Sequence, residues 1–169
     1  KGSRGKGIQP RTLESFDMMD VIDEILQSSD CYPFLKIHLG PFSFNRGSLG
    51  THHIPTRERP YPNLRMIPQW RTEEILRARL TALGGSIERG LGLESIKQSD
   101  RKVTVTLTDG RIVTTDFVVG CDGGRSRTRK ALGLELRGET LDDRTMIVAD
   151  LEMEGLDPAH WHVWPLHRG

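Results

Sequence analysis

Apolar residues recur at three- and four-residue steps between positions 9 and 28: Leu13, Phe16, Met19, Ile22, Ile25 and Leu26. That spacing puts them on one face of a helix. Pro10 suits the first turn, where its missing N–H is not needed. Asp20 interrupts the run and predicts two shorter helices. Residues 31 to 68 change character. Pro, Gly, His and Arg become frequent, and the short apolar runs "FLKIHL" and "LRMI" predict strands joined by loops. Another helix is predicted over 72–83. Thr72 is its expected N-cap, Glu73 and Glu74 favour its positive end, and Gly84 or Gly85 stops it. Its buried stripe is Ile75, Leu76, Leu80 and Leu83.

Two Asp-Gly pairs follow in different settings. In "KVTVTLTDGRIVTTDF" Val103, Val105 and Leu107 alternate with polar residues, and Asp109-Gly110 predicts a hairpin with a type I′ turn. In "DFVVGCDGG" the pattern does not alternate. Phe117, Val118 and Val119 are consecutive, as in a strand covered on both faces of a parallel sheet. Asp122, Gly123 and Gly124 lie at the end of that run. A short helix follows, with Ser126 as expected N-cap and Gly133 as its stop. The second pair thus links a strand end to a helix N-terminus, a place suited to phosphate. "TMIVADLEMEGL" and "HWHVW" predict strands of a further sheet. No internal repeat or low-complexity tract is present.

Composition narrows the function. Lys and Arg (24) nearly cancel Asp and Glu (23), so nothing points to nucleic acid or an anionic membrane surface. "RSRTRK" is too short to change that. No apolar run approaches the length of a transmembrane helix, and no secretory h-region follows the basic start. Cys31 and Cys121 have neither Cys-x-x-Cys nor Cys/His metal spacing, and Cys121 reads as a small buried residue. A reduced, cytoplasmic setting is the default. His160 and His162 share a strand face, and with His52 and His53 they define a conceivable metal cluster, although no carboxylate or thiol stands at motif spacing. Trp161 and Trp164 read as sheet packing or as pocket lining. "GRSRT" lacks the second glycine of a nucleophile elbow, which leaves Ser126 as a cap.

Three stretches taken together carry a resemblance: "SRGKGIQPRTLESF", "MIPQWRTEEILRARL" and "VVGCDGGRSRTRKALGL". In this order and spacing the chain resembles the middle of a flavin-dependent aromatic hydroxylase. This is the single-component monooxygenase group with the para-hydroxybenzoate hydroxylase fold, in its branch acting on polyketide, rifamycin-type and phenolic substrates. The implied fold class is α/β. A partial FAD-binding parallel sheet with helices would occupy 1–30 and 67–139, and part of a β-rich substrate domain would occupy 31–66 and 140–169. The implied cofactors are FAD and NAD(P)H, and the implied substrate is a small aromatic molecule hydroxylated through a flavin hydroperoxide.

The resemblance also implies site residues. Arg4, Gly5 and Gly7 form an Arg-Gly-x-Gly loop against FAD. Gln69 reaches the ribityl-pyrophosphate part. Asp122 and Gly123 serve FAD and NAD(P)H, supported by Arg129. The chemistry of these residues agrees: glycines permit close backbone approach, arginine offers a bidentate fork, and glutamine offers donor and acceptor. No acid–base pair is spaced to be named, so catalytic residues stay unassigned. The Gly-x-Gly-x-x-Gly fingerprint and the later Gly-Asp motif of the family do not occur, so the chain is expected to be a central segment. Two alternatives remain: another flavoprotein on the same scaffold, such as a halogenase or reductase, or a cofactor-free fragment whose open sheet edges pair in a homodimer.

Overall fold

The computed structural model describes residues 5–48, 52–139, 147, 149 and 151–165. In chain order the elements are β1 (Gly7–Ile8), α1 (Pro10–Met18), α2 (Ile22–Gln27), β2 (Asp30–Cys31), β3 (Phe34–Leu39), β4 (Phe42–Ser48), β5 (Arg65–Met66), α3 (Gln69–Ala82), β6 (Leu93–Gln98), β7 (Val103–Leu107), β8 (Ile112–Thr115), α4 (Arg127–Ala131) and β9 (His160–Val163). They fall into two compact units. Lys1–Ser86 with Val148–Gly169 form one, and Ile87–Ile147 the other.

In the first unit the predicted apolar face becomes the core. Leu13, Phe16, Ile22 and Ile25 bury against Ile8, Val21, Ile67 and Ile75. Ile25 has no exposed surface, and Leu13 and Ile75 have almost none. The break at Asp20 is a left-handed residue, φ 55°. It closes α1 with paired bonds, Asp20 N–H to the Asp17 carbonyl and Val21 N–H to that of Phe16. Arginines finish these helix ends. Arg79 donates to the Met19 carbonyl at 2.9 Å and pairs with Asp20 at 2.5 Å. Arg65 donates to the carbonyls of Leu26 (3.1 Å) and Ser29 (2.5 Å), to the Ser29 hydroxyl and to Cys31 Sγ. Cations at helix C-termini satisfy carbonyls that have no partner within the helix.

α3 starts three residues before the predicted Thr72. Pro68, at φ −60° and ψ 136°, is the cap, and its carbonyl accepts from Arg71 and Thr72. The expected stripe is also shorter than predicted. Ile75 is buried, but Leu80 and Leu83 are 37% and 68% exposed, because only the first half of the helix meets the core.

Three short strands join in the order β1-β5-β2, all antiparallel. A second sheet runs β4-β3-β9, with β3 antiparallel to β4 and parallel to β9. Strand alternation puts Trp161 on one face of β9 and His160 and His162 on the other. Trp161 meets Tyr32 edge to face at 5.1 Å. On the other face His38 Nε2 lies 2.7 Å from His162 Nδ1, and Trp164 stacks on His38 at 4.5 Å. His162 Nε2 faces the Asp157 carbonyl at 2.9 Å, which can only accept, so this nitrogen carries the proton and Nδ1 accepts from His38. No group of three or more metal-ligating side chains placed to hold an ion occurs among the described residues.

The second unit is a β6-β7-β8 antiparallel meander followed by α4. Its hairpin is real, but the turn is not type I′. Only Gly110 has positive φ, at 85°. Gly110 N–H bonds the Leu107 carbonyl and Leu107 N–H that of Arg111, a type I turn closed by a glycine bulge. Asp109 instead accepts from the Arg111 backbone at 3.1 Å and its side chain at 2.6 Å. The predicted strand at 117–119 is also corrected. Phe117 and Val119 are 85% and 83% exposed and lie in no ladder, since no strand among the described residues pairs with them. Cys121 is exposed, not buried. Of "TMIVADLEMEGL", residues 145, 146, 148 and 150 lie outside the described residues, and 151–153 form no strand.

Candidate functional site

Of the four predicted cofactor contacts in the first unit, Arg4, Gly5, Gly7 and Gln69, two come together. Gly5 N–H donates to Gln69 Oε1 at 3.2 Å, and the Gly5 carbonyl accepts from Gln69 N–H at 3.1 Å. Lys6 carbonyl accepts from Ile67 N–H at 2.8 Å. The glycine loop is thus laid along the β5–α3 junction, and Gln69 holds it from the first helical position. Gln69 Nε2 donates to Glu73 at 2.9 Å, which sets which end of the amide faces Gly5. Arg4 lies outside the described residues.

Gly7 has a structural reason of its own. A Cβ there would sit 2.2 Å from the Tyr32 hydroxyl. That oxygen ends a rigid ring packed on Trp161, so it cannot step aside alone. Gly7→Ala is expected to cost about 1–3 kcal/mol as an overpacking change. A denaturation midpoint equal to the native one, with unchanged tryptophan emission, would refute this.

Beside the loop is a cavity of about 240 Å³ lined by Gln9, Pro10, Cys31, Tyr32, His52, His53, Arg59, Pro62, Asn63 and Leu64. No pattern in the sequence pointed to it as a unit. Its walls come from α1, β2 and the proline-rich 52–64 loop, which only the fold brings together.

Asp122, Gly123 and Arg129 form the second group, in the second unit. Asp122 accepts from the Ser126 hydroxyl at 2.5 Å, from the amides of Arg127 (2.7 Å) and Thr128 (3.0 Å), and from the Thr128 hydroxyl at 3.2 Å. The Ser126 hydroxyl above all, with the backbone amides beside it, holds the carboxyl well below the usual carboxylate range. Ser126 Oγ in turn accepts from Arg129 N–H at 2.9 Å, as the expected N-cap. The start of α4 is therefore occupied by the protein's own carboxylate, which corrects the expectation of a phosphate site on that helix end. Gly123 takes φ 72°, and Arg129 Nη2 donates to the Gly124 carbonyl at 3.0 Å. The Asp122, Ser126 and Thr128 spacing is the signal that sequence reading missed: an acid ahead of two hydroxyls at a helix start reads as a cap. Gly120 belongs to the same knot, because a Cβ there would lie 2.7 Å from Thr128 Cγ2.

The family model for the FAD binding domain matches residues 1–167. A flavin-dependent monooxygenase of Mycobacteroides abscessus is 35% identical, over 96% of this chain and 36% of its own length. A rifampicin monooxygenase of Streptomyces venezuelae is 32% identical, over 89% of this chain and 30% of its own. The anhydrotetracycline hydroxylase OxyS of Streptomyces rimosus superimposes with a TM-score of 0.65 at 30% identity, over 82% of this chain and 27% of that one. The chain spans about a third of the length of the curated relatives it matches. The match runs along nearly every residue: this chain belongs to the FAD binding domain family.

Proposed function

We propose that the protein works as an FAD- and NAD(P)H-dependent monooxygenase that hydroxylates a small aromatic, phenolic or polyketide-like substrate. The observation that carries this reading is the Gly5–Gln69 junction, where two residues assigned to cofactor contact by the family resemblance meet through two hydrogen bonds. The residues fit the cofactor. A Cβ at Gly123 or Gly124 would meet nothing within 4 Å, so a bulky group can approach the backbone there. Arg129 Nε is buried without a partner among the described residues, a donor left for a ligand oxygen.

In this reading Gly5 and Gln69 hold the ribityl-pyrophosphate side, and Asp122 fixes the turn that presents Gly123, Gly124 and Arg129. Bound FAD supplies oxygen activation fed by electrons from NAD(P)H, and the protein supplies binding and orientation. Residues 31–66 and 140–169 contribute to the substrate side. The test is NAD(P)H consumption by the purified protein with a phenolic substrate under ¹⁸O₂. Product carrying one labelled oxygen is expected. NAD(P)H consumption with no labelled product refutes hydroxylation.

A further inference from the structure

Strand β9 is held on one side. It spans four residues, and among the described strands it pairs only with β3. On one face of that pair His38 and His162 meet nitrogen to nitrogen at 2.7 Å, although 124 positions separate them in the chain. Trp164 stacks on His38 with the ring planes 13° apart. An imidazole that is neutral donates from one nitrogen and accepts at the other, and one that is charged donates from both. With both rings neutral, His162 gives Nε2–H to the Asp157 carbonyl and takes the His38 Nε2–H on its Nδ1. One added proton leaves this bond in place, because a charged ring donates to a neutral one. A second leaves two N–H groups facing each other with no acceptor between them, and two like charges side by side.

The surroundings do not relieve that second charge. Lys36 of β3 stands opposite His162 and is a further cation. β4 places Ser43 opposite His38 and Asn45 opposite Lys36, and neither is charged. His160 shares the face on β9, and the carboxylate beside it, Asp157, is already engaged by His160 Nδ1 at 2.6 Å and by the Ala159 amide at 2.9 Å. We propose that the His38–His162 pair is an acid-released latch: it holds β9 against β3 while at least one ring is neutral, and lets the strand go when both are charged. This goes beyond the monooxygenase reading and does not depend on flavin. The environment of His38 agrees in direction. Burial first, then the charges of His162 and Lys36, lower its imidazole below the ordinary value of 6.5. The unfolded chain therefore takes up the proton first, so the contribution of His38 to stability is complete above that value and is lost as pH falls through the folded one. What responds is the β4-β3-β9 sheet, not the apolar core around α1 and α2.

Amide hydrogen exchange of the purified chain, followed by NMR from about pH 7 to about pH 5 and corrected for the intrinsic pH dependence of exchange, tests the latch. Protection of the β9 amides is expected to fall about tenfold or more across that range, while the Leu13 and Ile25 amides change less than about twofold. Imidazole ¹⁵N shifts from the same sample should show His38 and His162 both charged where that protection is lost. His38→Gln keeps a donor in the place of Nε2 and takes no charge. Its β9 protection should match native at neutral pH and stay level into acid. His160→Gln, outside the pair, should lose protection as the native chain does. Level β9 protection in the native chain, protection that persists with both rings charged, an acid loss in His38→Gln as large as native, or an acid response abolished by His160→Gln would each overturn the proposal.

Discussion

Ile25→Ala is expected to destabilise the first unit by about 2–5 kcal/mol. Ile25 is fully buried and sits in one cluster with Leu13, Phe16, Ile67 and Ile75. Removing three carbons there loses transfer free energy and leaves a cavity that helices on several sides cannot close. Domains of this size carry roughly 5–15 kcal/mol in all, so the change consumes a large share. It also reaches the site. Ile8 and Ile67 flank the glycine loop and the residues before Gln69, and both belong to the same cluster. Urea denaturation measures the effect. Leu83→Ala, at a position 68% exposed, is the control and should stay within about 0.5 kcal/mol of native. Comparable losses in both variants would show that the core does not lie where these residues place it.

Asp122→Ala should unwind the start of α4. One carboxylate accepts from four donors there, and alanine strands two backbone amides and two hydroxyls. Hydrogen exchange of the Arg127 and Thr128 amides is expected to rise to the rate of an unstructured chain. Ser126→Ala removes the cap bond to Arg129 and one of the four donors to Asp122, leaves the two backbone amides on the carboxylate, and should cost about 1–2 kcal/mol. Acidity provides an independent check. The Asp122 carboxyl is depressed in the folded state, so its contribution is complete above the ordinary value of 3.8 and fades as pH falls below that through the folded value. The α4 amide signals should therefore persist through pH 4 and be lost only in stronger acid. Loss between pH 5 and 4 would contradict the geometry, as would unchanged protection in Asp122→Ala.

What was legible in the sequence follows from the range of the forces involved. The helices before residue 28 could be read because Leu13, Phe16, Ile22 and Ile25 repeat with the helical period, and Pro10 and Asp20 mark the ends. Strand β9 and the β7–β8 hairpin were equally local. Ser126 as a cap was legible for the same reason. Phe117 to Val119 misled because a run of apolar residues shows strand character but not a strand's partners. The arginine caps of α1 and α2 were invisible, since Arg65 and Arg79 reach carbonyls 39 and 60 residues away. Gly7 was assigned to cofactor approach, while the structure shows that Tyr32 alone already demands a glycine there. The cavity lies beyond any motif, because Tyr32, Arg59 and Asn63 are joined only by the fold.

Gln69 and Arg129 are proposed to help hold a flavin. The visible flavin absorbance retained per polypeptide through purification tests it directly, compared between native protein and the Gln69→Leu and Arg129→Met variants at matched far-ultraviolet circular dichroism. The prediction is a yellow native protein and a marked loss of flavin in both variants. A colourless native protein, or variants as yellow as native, would contradict it.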